Sequence, residues 1–297
     1  MKKKQPKISR FGFFNVDKPS GAMSSAAVNR IKWLTGAPCG HMGTLDPLAR
    51  GVLPVGVGNA TRLFDYFLEK RKEYIAEFTF GVSSPTLDST GELTVGGCIP
   101  AAEEIASVLP SLCGDVMQTP PKYSAKNVNG KRGYELARAG VEFTLTPKQV
   151  RIESLELLGE SQEKEHTFRV KIVCGGGTYI RSIGRDLAEC LGTNAVMSSL
   201  CRTQSGAFVL ENAVPLDWFL REDVGVEELE ERLIPTDSVL PYPVLTFKKD
   251  GWQRLYNGVA VPTDVADGLY KFYNEDGSFY GIAEVKEGRA KLKTKLC

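Results

Sequence analysis

Apolar residues along this chain recur with two periods, and the switches between them mark out the elements. Residues 11–16 form a short apolar run closed by Asp17-Lys18-Pro19-Ser20-Gly21, which reads as a strand followed by a turn. Val28, Ile31 and Leu34 fall at helical spacing, and with Ser24 or Ser25 as cap and Gly36 as stop they predict a helix ending at Thr35. Residues 51–58 read as a buried strand, and 60–70 as a helix with Leu63, Phe64, Phe67 and Leu68 turned inward. Tyr74, Ala76, Phe78 and Phe80 alternate with Ile75, Glu77 and Thr79, a strand period.

The pattern continues with helices at 101–109 and 130–139, the second after the Pro120-Pro121 break. Strands are expected at 150–158 and 167–173, then a helix at 178–191 with Ile180, Ile183, Leu187 and Leu191 on one face, and a further strand at 194–202. Strands mixed with helices that do not alternate strictly imply an α+β fold, a central mixed and largely antiparallel sheet flanked by helices. Residues 235–243 carry three prolines and make the best linker. The organisation expected is a basic segment at 1–10, a large domain at 11–234, the linker, and a small β domain at 244–297.

Composition narrows the chemistry. With 297 residues, 42% hydrophobic and 25% charged, the chain is an ordinary globular protein. The apolar run after the basic start is too short for a signal sequence, and no later stretch could span a bilayer, so a cytoplasmic protein without membrane contact is expected. Seven singly scattered cysteines and two distant histidines give no metal or disulfide pattern, so no metal is expected. The net charge of +1 hides separated patches. Lys122, Lys126, Lys131, Arg132 and Arg138 oppose only Glu135, and Arg289, Lys291, Lys293 and Lys295 alternate near the end, against acidic residues at 222–223 and 227–231. Tyr123 and Tyr134 within the first basic stretch supply stacking faces of the kind nucleic-acid surfaces use.

Three glycine-flanked segments compete as sites. Gly56-Val57-Gly58-Asn59-Ala60-Thr61 lacks the third glycine and the acidic partner of a dinucleotide loop and reads as a plain turn. Gly175-Gly176-Gly177-Thr178 lacks the lysine of a phosphate loop, but the helix after it presents Tyr179 and Arg181. Arg181 is suited to pair with a carboxylate and hold it ionised. In Gly40-His41-Met42-Gly43-Thr44-Leu45-Asp46-Pro47, an aspartate sits on a tight loop five residues after a histidine. By residue type alone Asp46 is a nucleophile, a general base or a turn former.

Asp17-Lys18-Pro19-Ser20-Gly21 and the 40–47 segment occur in order with Lys72-Glu73-Tyr74 and Gly177-Thr178-Tyr179-Ile180-Arg181, and Thr86-Leu87-Asp88, Pro120-Pro121-Lys122-Tyr123-Ser124-Ala125, Gly130-Lys131-Arg132 and Leu200-Cys201-Arg202-Thr203 match as well. Together they closely resemble the TruB family of tRNA pseudouridine synthases over residues 11–210. The resemblance implies a cofactor-free isomerase that converts uridine 55 in the T arm of tRNA to pseudouridine. It implies Asp46 as catalytic aspartate, Arg181 as its ion-pair partner, and Tyr74 stacked beside the target base with a share in proton transfer. His41 would fill the space the flipped uridine leaves, and Tyr179 and Leu200 would line the pocket. Lys18 and Pro19 would buttress the loop; Asp88, Lys18, Lys131 and Arg132 are counted among the substrate-binding residues. The C-terminal domain would be a PUA-like RNA-binding module. Met42, Arg62 and Gly184-Arg185 depart from the common pattern without touching a catalytic group. Stand-alone action as a monomer is expected, since long basic extensions of the RNA-guided branch are absent. That branch, a non-catalytic tRNA-binding module and a carboxylate-dependent nucleoside glycosidase remain the alternatives.

Overall fold

A computed structural model describes residues 8–68, 70–124, 126–128, 130–247 and 249–296. The basic residues 1–7, Ala125 of the Pro120 motif and the inward-facing side chain expected of Leu68 lie outside the described residues. The central sheet runs in the order Val214–Pro215, Gly12–Lys18, Arg50–Val57, Ala195–Ser205, Lys72–Phe80, Thr167–Cys174, Lys148–Glu160 and Gly114–Gln118. Two of these neighbour pairs are parallel, Gly12–Lys18 with Val214–Pro215 and Arg50–Val57 with Ala195–Ser205; the others are antiparallel. The fold is therefore α+β with a mixed, largely antiparallel sheet.

The strict alternation in Lys72–Phe80 is realised: Lys72, Tyr74, Ala76, Phe78 and Phe80 are buried and the residues between are half-exposed. The helices Ser24–Thr35 and Ile180–Cys190 cover this side, adding Ile31, Leu34, Ile183 and Leu187 to the main core. Gly184 lets the second helix settle directly on the sheet, because a Cβ there would lie 2.5 Å from the Phe78 ring. That close seat carries Arg181, one turn earlier, towards the middle of the sheet.

Local differences from the sequence pattern have specific causes. The helix at 24–35 begins after Met23 without a side-chain cap, because the Ser24 hydroxyl is taken by the backbone of Leu45. The expected 60–70 helix is a 3-10 stretch, Gly58–Leu63, followed by a short α-helix, Phe64–Leu68; Leu63 and Phe67 point inward, whereas Phe64 stays exposed. The 130–139 helix is shortened to Gly133–Arg138, since Lys131–Arg132 pairs with Asn127–Val128 as a small hairpin. The 235–243 stretch is packed, not open, with Val239 and Leu240 in a second core containing Phe13, Met42, Phe67, Ile282 and Leu296.

The C-terminal residues build a separate four-stranded antiparallel sheet, Val261–Pro262, Arg289–Lys295, Phe279–Lys286 and Gly268–Tyr273, to which the sequence pattern had assigned no helix; Lys249–Tyr256 is one. This sheet is fastened to the larger one. Asn59 Nδ2 donates to Leu296 O at 2.6 Å, Arg62 Nη1 to Lys295 O at 2.7 Å, and the Tyr66 and Thr294 hydroxyls meet at 2.7 Å. In the terminal basic stripe, Lys293 pairs with Glu284, and Lys295 lies over the Tyr256 and Tyr280 rings. Among the described residues no helix is long and apolar enough to cross a membrane.

One backbone approach joins the two halves of the sheet. Gly51 has φ +101°, and an added Cβ would strike the Arg202 carbonyl. Gly51→Ala is expected to cost about 3 kcal/mol of folding free energy in urea titrations, through a disallowed φ and a displaced neighbouring strand. Gly175→Ala, at a glycine without positive φ and with its nearest neighbour 3.6 Å away, is expected to change stability by less than about 1 kcal/mol.

Candidate active site

The 42–49 loop leaves the sheet between two anchors: Met42 N donates to Pro54 O at 2.8 Å, and Ala49 N closes a turn on Asp46 O at 3.0 Å. Met42 and Leu45 are buried beneath it. Ser24 Oγ bonds Leu45 twice, accepting from its N–H at 3.0 Å and donating to its carbonyl at 2.8 Å. Gly21 N donates to Pro47 O at 2.7 Å, and Ser20 Oγ to Leu48 O at 2.8 Å. Backbone groups of the loop are thus consumed by the 20–24 segment and by Pro54, which holds Asp46 in one place.

Lys18 lies under this loop, fully buried, its Nζ donating to Ala22 O at 2.7 Å, Pro19 O at 2.9 Å and Pro47 O at 3.4 Å. It buttresses the loop and offers no surface to a substrate, which corrects its inclusion among binding residues. Removal from water pushes its pKa down to about 8, with Asp46 pulling it up and Arg202 pushing it further down.

Asp46 keeps 39% of its side chain accessible, enough for an incoming group to reach, while its Oδ2 meets Arg181 Nη2 at 3.0 Å. Arg181 is almost wholly enclosed. Its Nη1 contacts Asp88 Oδ2 at 3.3 Å and donates to Thr86 O at 3.0 Å, and its Nη2 donates to Tyr123 O at 3.1 Å. Asp88 is itself buried, with Oδ1 accepting from Thr86 Oγ1, Thr90 Oγ1 and Thr90 N at 2.8, 2.6 and 3.1 Å. Expected at a substrate contact, Asp88 instead backs Arg181 from behind. Its turn is strapped to the Ala195–Ser205 strand through hydrogen bonds of Leu87 and Ser89 with Met197.

Tyr74 is buried on Lys72–Phe80, directly across from Ile172 on one side and Arg202 on the other. Burial raises its pKa, and the charge of Arg202 opposes that rise. Leu200, also buried, stands opposite Ala76 on the same pair of strands. His41 is half-buried on Cys39–His41, and among the described residues its Nδ1 has no hydrogen-bond partner; burial pushes its pKa below the ordinary value, against a backbone hydrogen bond that raises it and with the charge of Arg202 adding to the fall. It opens onto a cavity of about 370 Å³ shared with Ser25, Asn29, Thr61 and Phe64. Tyr179 is half-buried at the start of Ile180–Cys190, its backbone bracketed by the Gln118 amide at 2.8 and 3.1 Å.

The structure thus assembles Asp46, Arg181 and Asp88 as one charged cluster and places Tyr74 beside it. Lys131 and Arg132 stand apart, exposed on the 127–132 hairpin. The root of that hairpin reaches the cluster indirectly: Tyr134 N binds Ser124 O, next to the Tyr123 carbonyl that holds Arg181. Beside Tyr123 a cleft of about 550 Å³ runs between Leu87, Pro121, Phe143 and Arg185. Arg202, part of the Leu200-Cys201-Arg202-Thr203 motif, is fully buried in the central strand Ala195–Ser205, where an arginine among Leu200 and Cys201 is the sequence signal for it. Among the described residues no three metal-ligating side chains converge. The cluster presents an accessible carboxylate with a fixed counter-ion, suited to nucleophilic attack on an electrophilic carbon.

A family model described as TruB family pseudouridylate synthase (N terminal domain) matches residues 32–180. The tRNA pseudouridine synthase B of Acaryochloris marina is 38% identical over 288 residues, covering 96% of this chain and 98% of that protein. That of Shouchella clausii is 37% identical over 298 residues, with the same coverages. Among solved structures, a chain of a Cbf5-Nop10-Gar1 complex superposes with TM-score 0.71 at 23% identity, covering 97% of this chain and 85% of that one, a likeness of fold.

Two stability measurements test the geometry. Asp88→Asn strips a buried partner from Arg181 and is expected to cost about 2–3 kcal/mol in urea unfolding. Asp46→Asn, at the accessible end of the same arginine, is expected to cost less than about 1 kcal/mol; equal costs would contradict the assignment of Asp88 as backing. For Lys18, the folded value of about 8 lies below the ordinary 10.5, so the unfolded chain binds more protons between these values. Stability should therefore rise with pH across that window, and Lys18→Met should flatten the rise, with Lys72, likewise lowered to about 8, supplying what remains. Parallel pH profiles for the two proteins would refute it.

Proposed function

The chain belongs to the TruB family of pseudouridylate synthases and is a tRNA-modifying isomerase, and we propose that it converts uridine 55 of the T arm with Asp46 as nucleophile. The observation that carries the proposal is the Asp46–Arg181 pair: a reachable carboxylate whose partner is enclosed and fixed. In the reaction the C1′–N1 bond of uridine breaks, the uracil turns while still bound, and C5 joins C1′. The C5 proton is released and N1 regains one, so the product is an isomer and no net oxidation occurs. Asp46 forms a transient covalent adduct with the uridine and leaves again. Arg181 keeps the carboxylate aimed and Asp88 keeps Arg181 aimed.

The target base has to leave its stack before Asp46 can reach it. Tyr74 supplies the face on which the base rests. His41, neutral and at the edge of the same loop, fills the gap left in the RNA, while Tyr179 and Leu200 complete the pocket wall. Lys131 and Arg132 on their exposed hairpin are suited to phosphates outside the pocket. Residues 11–234 form the catalytic domain in this reading and 244–297 a PUA-like RNA-binding module. The enzyme acts in the cytoplasm as a monomer, with neither a guide RNA nor a cofactor.

Unmodified tRNA transcript tritiated at C5 of uridine tests the reading. The protein alone should release one label per tRNA, and a transcript with cytidine at position 55 should release none. Asp46→Asn should abolish release. Free uracil among the products would mark a glycosidase, and binding without either product a non-catalytic module. Tyr74→Ala is expected to slow turnover by about 100-fold or more while tRNA affinity changes by less than about 3-fold; matched losses would reduce Tyr74 to a packing residue.

A further inference from the structure

Arg202 heads the fully buried side chains by size, and the reaction as described leaves it unused. It stands in the Ala195–Ser205 strand beside apolar Leu200 and Cys201. Nε donates to Val52 O at 2.7 Å and Nη2 to Gly43 O at 3.0 Å, and among the described residues no carboxylate pairs with it. A buried charge held by carbonyl dipoles alone is costly, and an apolar residue of similar volume would pack the strand better.

Its surroundings show what the guanidinium connects. Directly across the sheet is Tyr74, the cross-strand partner of Arg202, whose buried hydroxyl feels the guanidinium charge. On the other side is Gly43, the residue from which the Asp46 loop departs, where an added Cβ would lie 3.6 Å from Arg202 Nη1. Arg181 does not duplicate this role, since its charge is met by two carboxylates and it acts on Asp46 from the helix side.

We infer that Arg202 is a positioning residue for the isomerisation: its planar guanidinium ties the Tyr74 hydroxyl to the Gly43 carbonyl, so that the base platform and the Asp46 loop meet the uridine as one rigid unit. The inference rests on the roles proposed for Tyr74 and Asp46. Lysine can keep the charge, but all its donors sit on one nitrogen, so it cannot span separated acceptors as the spread nitrogens of a planar guanidinium do, and this difference is what the test exploits.

Arg202→Lys and Tyr74→Phe, alone and combined, are compared with the parent in single-turnover tritium release at saturating tRNA. Arg202→Lys is expected to slow the step about 30-fold with the tyrosine present and less than about 3-fold with phenylalanine in its place, with tRNA affinity unchanged. Equal losses in both backgrounds, or a loss of affinity that accounts for the rate, would overturn the inference. A parent that releases no label sinks the proposed function instead, so the two failures are distinguishable. Should Arg202→Lys not fold, Tyr74→Phe decides alone: it should lower the urea midpoint, whereas Tyr280→Phe, which removes a buried hydroxyl without a partner, should not. An unchanged midpoint in Tyr74→Phe would overturn the inference.

Discussion

The buried guanidinium of Arg181 is the constraint around which the loops over the large sheet are arranged. A charge enclosed to that degree has to be surrounded by acceptors, and the four that surround it come from three separate segments: Asp46, the 86–88 turn twice, and Tyr123. None of these segments belongs to the regular part of the sheet. Each is irregular backbone whose position is set by what it must reach. The helix bearing Arg181 is regular, and its depth is set by Gly184 lying on Phe78. A rigid element thus delivers the cation, and the loops fold to meet it.

The elements were legible in the sequence where periodicity was strong. Lys72–Phe80 and Ile180–Cys190 bury the residues their spacing selects, because sheet pleat and helix turn fix side-chain direction. Legibility failed where a polar side chain had a distant partner that local pattern does not reveal. Ser24 reads as a helix cap and serves the Asp46 loop. Lys18, expected both to buttress the loop and to count among the substrate-binding residues, is spent on three carbonyls, and Asp88, expected at the RNA or the pocket, stands behind Arg181. The same holds for Phe64, exposed because the segment tightens to a 3-10 turn before it. The fold brings the motif residues Asp46, Asp88 and Arg181 together, but the motifs could not rank them by depth.

Two arginines in one site embody different solutions to burying a charge. Arg181 is matched by two carboxylates, so its own charge is more than offset and it contributes geometry. Arg202 is matched by peptide dipoles, and its positive field is felt by Lys18, His41, Lys72 and Tyr74 alike. The basic interior behind the loop is thus built of Arg202, Lys18 and Lys72, buried residues distinct from the surface lysines.

The bond from Arg202 to Val52 spans 150 residues, and the one parallel pairing of the inner sheet, between Arg50–Val57 and Ala195–Ser205, lies beside it. Contacts of such separation are slow to form, because the intervening chain loses much of its freedom before they give anything back. The loop carrying Asp46 emerges from an early strand but takes its shape only when the late strand docks. A nascent or half-folded chain can therefore display basic surface to RNA while its aspartate is still unaimed.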